Sequence, residues 1–129
     1  MKLLILSILL TSCFAQDIPK HVPYVYSAVV TDVYDGDTVT VTIDLGFNVL
    51  LSDQKIRLLG VDTPELRGEE REEGLKVRDQ VRKMILNKKV IIRTHKDKKG
   101  KYGRWLAEVF IEGKSINEWL KKEGYGEEQ

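Results

Sequence analysis

Apolar and polar residues alternate along residues 38–43, with Val39, Val41 and Ile43 on one face and Thr38, Thr40 and Thr42 on the other. That period of two predicts a strand with one side buried. Residues 27–33 lead into it, with Ala28, Val29, Val30 and Val33 as a second extended run, and Asp35-Gly36-Asp37-Thr38 between them reads as a turn. Gly46 allows a bend, and Val49, Leu50 and Leu51 begin another extended stretch that resumes at residues 55–61. Residues 66–74, LRGEEREEG, read as a charged loop entering a helix, because Glu69, Glu70, Glu72 and Glu73 suit the positive end of a helix dipole. Val77, Val81, Met84 and Ile85 follow at helical spacing and are assigned to the core. Residues 88–94 return to strand, Lys98-Lys99-Gly100-Lys101 reads as a hairpin tip, and residues 105–111 form the last strand. Ser115 and Glu118 have the spacing of a capping box for a final helix that presents Ile116, Trp119 and Leu120 and ends at Gly124.

Five strands and two helices in this order agree with an α+β Greek-key barrel of the OB type. A length of 129 residues suits one domain, and 42% hydrophobic with 32% charged residues suits a globular chain with a small core. Charge changes the picture little. The formal net charge is +1, and setting aside Lys2 in the apolar start takes Lys and Arg from 21 to 20, equal to the 20 Asp and Glu. Only the distribution of charge can then argue for a polyanionic partner.

The acidic and basic side chains are not spread evenly. Asp35 and Asp37 flank Gly36, and residues 57–65, RLLGVDTPE, set Arg57 upstream of Asp62 and Glu65. A cation among carboxylates is a costly way to build a core, since a buried unpaired charge is unfavourable. It is a direct way to hold a divalent cation beside a phosphate. The ligands are hard oxygens, which suit Ca²⁺ or Mg²⁺, and no cysteine or histidine lies nearby to suggest zinc or iron. Pro64 biases Thr63 towards extended backbone and so helps fix its carbonyl, itself a ligand for Ca²⁺. DGDT by itself is a plain turn, and DTPE by itself a loop; their co-occurrence with Arg57 is what carries weight. Further on, residues 93–104 carry Arg93, Lys96, Lys98, Lys99, Lys101 and Arg104 against Asp97, with Tyr102 among them. Aromatic and guanidinium groups together suit a nucleic-acid backbone. His95 reads as an exposed strand residue.

Asp35–Thr38 (DGDT), Arg57–Glu65 (RLLGVDTPE) and Lys101–Arg104 (KYGR) resemble, in order, the three motifs of the staphylococcal nuclease family. The resemblance covers about residues 27–124 and implies a five-stranded OB-fold barrel with two helices. Residues 125–129 leave no room for the third, C-terminal helix of the longest family members. By the resemblance, Asp37, Asp62 and the Thr63 carbonyl would bind one Ca²⁺, with Asp35 in an outer shell. Glu65 would orient or deprotonate the attacking water, Arg57 and Arg104 would clamp the phosphate, and Lys101 and Tyr102 would line the nucleotide end. The implied activity is a Ca²⁺-dependent endonuclease on DNA or RNA, single strands favoured, working as a monomer and leaving 3′-phosphates. A non-catalytic nucleic-acid-binding module of the cell envelope is the alternative on the same fold, and an envelope interaction protein is another.

The chain start adds a location. Residues 1–12 read as an export leader, with Lys2 as basic end and residues 3–10 as an apolar run too short to span a bilayer. Leu10-Thr11-Ser12-Cys13 resembles a bacterial lipobox, which would lipidate Cys13; cleavage after Ala15 is the competing site, giving a secreted protein. Cys13 is the sole cysteine, so lipidation also explains a thiol with no intrachain partner. Residues 13–26, with Pro19 and Pro23, read as a tether, and residues 27–126 as the domain.

Overall fold

The structure is a computed structural model that describes Ile18, Lys20 and residues 22–128. The leader, the lipidation and cleavage sites at Cys13 and Ala15, and half of the tether, including His21, lie outside the described residues. Five strands close a barrel: β1 (Val25–Asp35), β2 (Thr38–Asp44), β3 (Leu50–Leu58), β4 (Lys89–Lys99) and β5 (Trp105–Ile111). Their order is β3-β2-β1-β4-β5, and a parallel pairing of β3 with β5 closes the ring while the other neighbours run antiparallel. A 15-residue helix, α1 (Arg71–Ile85), connects β3 to β4. A two-residue strand, β6 (Lys114–Ser115), leads into α2 (Ile116–Leu120) and a π-type turn at Lys121–Tyr125. This is the OB-fold, with two α-helices among the described residues.

The strands form where alternation predicts them. Val39, Val41 and Ile43 are buried, and the apolar run Val90-Ile91-Ile92 resolves into buried Val90 and Ile92 around exposed Ile91. β1 shows what alternation cannot. Val30 and Val33 both face the core although they are three apart, because the register against β2 shifts between Val30 and Asp32. Such a bulge inserts a residue, flips the pleat and bends the strand, which lets β1 pair with β4 over Val25–Val29 and with β2 from Ser27 to Asp35. On α1, Gly74, Val77, Val81 and Ile85 form the buried face, and Arg82 donates two hydrogen bonds to the Val33 carbonyl. The Ser115 hydroxyl accepts from the Glu118 amide at 3.1 Å, so one half of the expected capping box forms; the Glu118 carboxylate turns instead to Lys121.

Two boundaries move. β1 begins at Val25, inside the expected tether, because Val25 and Tyr26 pair with Arg93 and Ile92. The β4–β5 tip moves past the expected Lys98–Lys101: β4 runs through Lys99, whose ammonium sits 4.4 Å from the Trp105 ring, and a 3-10 turn at Lys101–Gly103 makes the reversal.

Asn117, between Ser115 and Glu118, carries no local signal of its role and is fully buried. Its side chain accepts from the Val109 amide at 2.9 Å and donates to the Leu59 and Ala107 carbonyls at 2.9 and 3.1 Å. One amide thus ties α2, β5 and the end of β3 together.

Candidate active site

The DGDT turn between β1 and β2 is clasped to the stretch that follows β3. The Asp37 carbonyl accepts from the Leu58 amide at 2.8 Å, and its carboxylate accepts from the Thr63 amide at 3.0 Å. Gly36 makes this approach possible. A Cβ there would lie 2.7 Å from both the Thr63 and Val77 methyl groups. Gly74 does the same on the other side: a Cβ would fall 2.5 Å from the Glu65 carbonyl oxygen and 2.8 Å from that of Pro64. The helix therefore packs directly against the backbone that carries Glu65.

Six sequence-derived residues come together here. Arg57, nearly buried, donates through Nη1 to the carbonyls of Leu58 and Val61 and lies 3.5 Å from the Asp37 carboxylate. Its Nη2 is 3.9 Å from Asp62. Thr63 is buried beside Asp37. Arg104 donates through Nη1 to the Thr38 hydroxyl at 2.8 Å, and that hydroxyl donates to Asp37. Both guanidinium groups therefore reach adjacent residues of one turn. Tyr102 stands 5.5 Å from the Arg104 guanidinium and lines, with Asp32, Tyr34, Thr38, Thr40 and Lys55, a cleft of about 300 Å³.

Two expected residues stand apart. Lys101 is exposed on the same 3-10 turn as Tyr102 and does not line that cleft. Glu65 is exposed in a shallow depression with Tyr34, Leu66 and Arg67, and its amide donates to the Glu70 carboxylate at 3.0 Å. Its own carboxylate makes none of the hydrogen bonds or ion pairs among the described residues, so it is available to solvent or substrate.

Among the described residues, two buried polar atoms lack hydrogen-bond partners: Arg104 Nε and the Thr63 hydroxyl. Buried orphans of this kind are uncommon and mark positions that a ligand can satisfy. For a hard cation the candidate donors would be the Asp37 and Asp62 carboxylates and the Thr63 main chain, with the unpartnered Thr63 hydroxyl. Among the described residues no three acidic, histidine or cysteine side chains form a cage by themselves. Two carboxylates would therefore share the ion with main-chain oxygen and water, a set that fits Ca²⁺ chemistry.

Asp35 is buried at the back of this cluster, where its carboxylate accepts from the Asp37 amide at 3.1 Å. Burial pushes its carboxyl up to about 7 from an ordinary 3.8, and the neighbouring Asp37 carboxylate adds to the shift. A raised value means that the folded state favours the proton. That contribution is complete below the ordinary value and is lost as pH rises through about 7. In chelator, the wild-type melting temperature is expected to fall across this window, and Asp35→Asn to flatten the fall. Equal slopes for the two proteins would refute the assignment.

One functional neighbour was not legible. After the π-type turn, Gly126 bridges to Val61, the Asp62 amide donates to the Tyr125 carbonyl, and the Glu127 amide donates to the Gly60 carbonyl. This brings the Glu127 carboxylate to 3.6 Å from Arg57 Nη2. Lys55 and Tyr34 were likewise missed as cleft residues. Lys55 reaches the cleft through its register opposite Thr40 in the β2–β3 ladder, and Glu127 reaches Arg57 through a pairing across the fold, so neither place is announced by local sequence.

The family profile described as "Staphylococcal nuclease homologue" matches residues 55–128. A thermonuclease of Staphylococcus hyicus is 36% identical over 95 residues, covering 71% of this chain and 53% of that protein. A thermonuclease of Staphylococcus intermedius is 34% identical over 101 residues, covering 76% of this chain and 56% of its own length. The SPbeta prophage-derived endonuclease YokF of Bacillus subtilis is 33% identical over 94 residues, 70% of this chain and 30% of its own. The chain thus spans about half the length of the two thermonucleases and less than a third of YokF. The profile covers more than half of the chain, including both arginines, and on that ground the chain belongs to the family of staphylococcal nuclease homologues.

Proposed function

We propose that this chain is a Ca²⁺-dependent endonuclease that hydrolyses phosphodiester bonds of DNA or RNA, single strands preferred, leaving 3′-phosphates. The observation that carries the reading is the convergence of Arg57 and Arg104 on the adjacent residues Asp37 and Thr38, with Asp62 beside Arg57 and Arg104 Nε unpartnered among the described residues. A guanidinium held with a free donor is matched by an anionic oxygen, and its planar fork meets two oxygens at once. A phosphodiester gains charge as water adds, so Arg57 and Arg104 stabilise the transition state more than the substrate. Arg57 is already oriented by two carbonyls and needs no rearrangement to do so. Glu65 takes the proton of the attacking water, and the bond to the 5′-oxygen breaks. Tyr102 and Lys55 line the cleft that receives the neighbouring nucleotide; Lys101 contributes positive charge at its edge. Asp37, Asp62 and Thr63 would hold the cation, which supplies charge to the phosphoryl oxygen and orders water. Glu127 shares Arg57 with Asp37 and Asp62, so an incoming phosphate takes the place of its carboxylate. The enzyme is proposed to act as a monomer, exported and held at a membrane through lipid on Cys13, or secreted after cleavage at Ala15.

The test is cleavage of a single-stranded DNA and an RNA by the purified chain with Ca²⁺, with Mg²⁺ and with chelator. Cleavage is expected with Ca²⁺ and lost in chelator, and Asp37→Ala is expected to weaken Ca²⁺ binding measured by calorimetry. Undiminished cleavage in chelator overturns the metal requirement. Binding of the oligonucleotides without cleavage under any condition identifies a binding module instead.

A further inference from the structure

The β2–β3 hairpin carries a feature that the nuclease reading does not use. Leu45, Phe47, Val49, Leu50 and Leu51 are all exposed, and Phe47 stands entirely in solvent. Contiguous exposed apolar surface of this kind marks a contact with a partner or a membrane. The tip is built in a way the domain itself does not need. Phe47 adopts φ 53° and Asn48 φ 61°, the left-handed conformation that turns usually give to Gly, Asn or Asp. A phenylalanine there is strained and buries nothing in the fold.

We infer that this hairpin is a membrane-docking element whose occupant is the lipid bilayer. Three observations select a bilayer. First, the surface is a protruding tip, which a fluid interface accepts without a matching groove. Three of its main-chain amides are already paired: the Leu45 amide donates to Val49, the Val49 amide to Gly46, and the Gly46 amide to the Asp44 side chain. Insertion therefore leaves these main-chain groups paired, as burial in an apolar phase requires. Second, the tip lies where the chain start emerges. Ser27 at the beginning of β1 pairs with Asp44, and Tyr26 shares an apolar pocket of about 140 Å³ with Leu45, Leu51, Trp105 and Asp97. The chain from Cys13 to Val25 reaches at most roughly 40 Å, and beyond it lies the apolar run of residues 3–10. A start held at a bilayer therefore puts this end of the barrel nearest the point of attachment. Third, exposed Lys96 and Lys98 flank Asp97 at the same mouth, and the Asp97 carboxylate is engaged by the Tyr26 hydroxyl. Lysines around an apolar tip meet lipid phosphates. Docked in this way, the DGDT turn stands the length of β2 from the hairpin, about 20 Å from the interface, and faces away from it.

The experiment uses the full chain with Cys13→Ser, so that no lipid is attached, and vesicles of equal phosphatidylglycerol and phosphatidylcholine. Phe47→Ser with Leu50→Ser is expected to lower vesicle partitioning at least about tenfold, with cleavage of a free oligonucleotide unchanged. Unchanged partitioning would overturn the inference. Independently of any binding by residues 3–10, Phe47→Trp is read with brominated lipids. Quenching above the Trp105 and Trp119 background is expected, and none would place the tip outside the bilayer. If the double substitution instead abolishes a dimer seen by sedimentation without vesicles, the face is an interface between copies and the inference fails.

Discussion

Glu65→Gln is expected to lower kcat by about 10²–10⁴-fold, the usual worth of a positioned general base, with KM changed little. Glutamine keeps the size and the hydrogen-bonding oxygen but cannot accept a proton from water at neutral pH. The fold should not register the change, because the residue is held through its amide to Glu70 and through the packing of its backbone on Gly74. Its exposed carboxylate has no partner among the described residues to lose. Steady-state kinetics on one single-stranded oligonucleotide in Ca²⁺, with a thermal melt as control, decides the matter. An unchanged kcat removes Glu65 from the chemistry and leaves Asp35 as the next carboxylate to test.

Asn117→Ala is expected to cost about 2–4 kcal/mol of folding stability. Its three hydrogen bonds satisfy the Val109 amide and the Leu59 and Ala107 carbonyls at a site with no exposed surface. Alanine would leave the Val109 amide and the Leu59 carbonyl without this partner, while the Ala107 carbonyl keeps the Leu59 amide, and each buried group without a partner costs about 1–3 kcal/mol before relaxation. A small domain holds only about 5–15 kcal/mol in total, so the loss would be large. Urea unfolding should show a lower midpoint with an unchanged slope. A loss below about 0.5 kcal/mol, the range of ordinary surface substitutions, would mean that these groups find other partners.

The barrel was legible because its strands obey a local rule: Val39, Val41 and Ile43 alternate whatever the rest of the chain does. The bulge in β1 was not, since it arises only when one strand must bend to meet two partners. The site divides in the same way. Asp37, Arg57, Asp62, Thr63 and Arg104 are brought together from three motifs close to strand ends, and each motif is readable in a few residues. Glu127 joins them through a bridge between Gly126 and Val61 that no local pattern announces. Asn117 looked like an ordinary helix residue because its role lies wholly in which carbonyls the fold places around it. Lys98 and Lys99 were read as a tip from composition, whereas the pairing of Lys99 with Trp105 extends the strand through them.

The seat of Gly74 against the backbone of Pro64 and Glu65 also sets how the protein should respond to heat. Helix ends open locally at free energies far below that of global unfolding. The first turns of α1 form the floor under Glu65, while the arginines and Asp37 are fixed to the barrel by their own bonds. Warming is therefore expected to release Glu65, the proposed proton acceptor, while the proposed phosphate clamp is still assembled, so that turnover fades before the barrel melts. On cooling, the helix is expected to re-form on a scaffold that has stayed assembled, which makes the loss reversible.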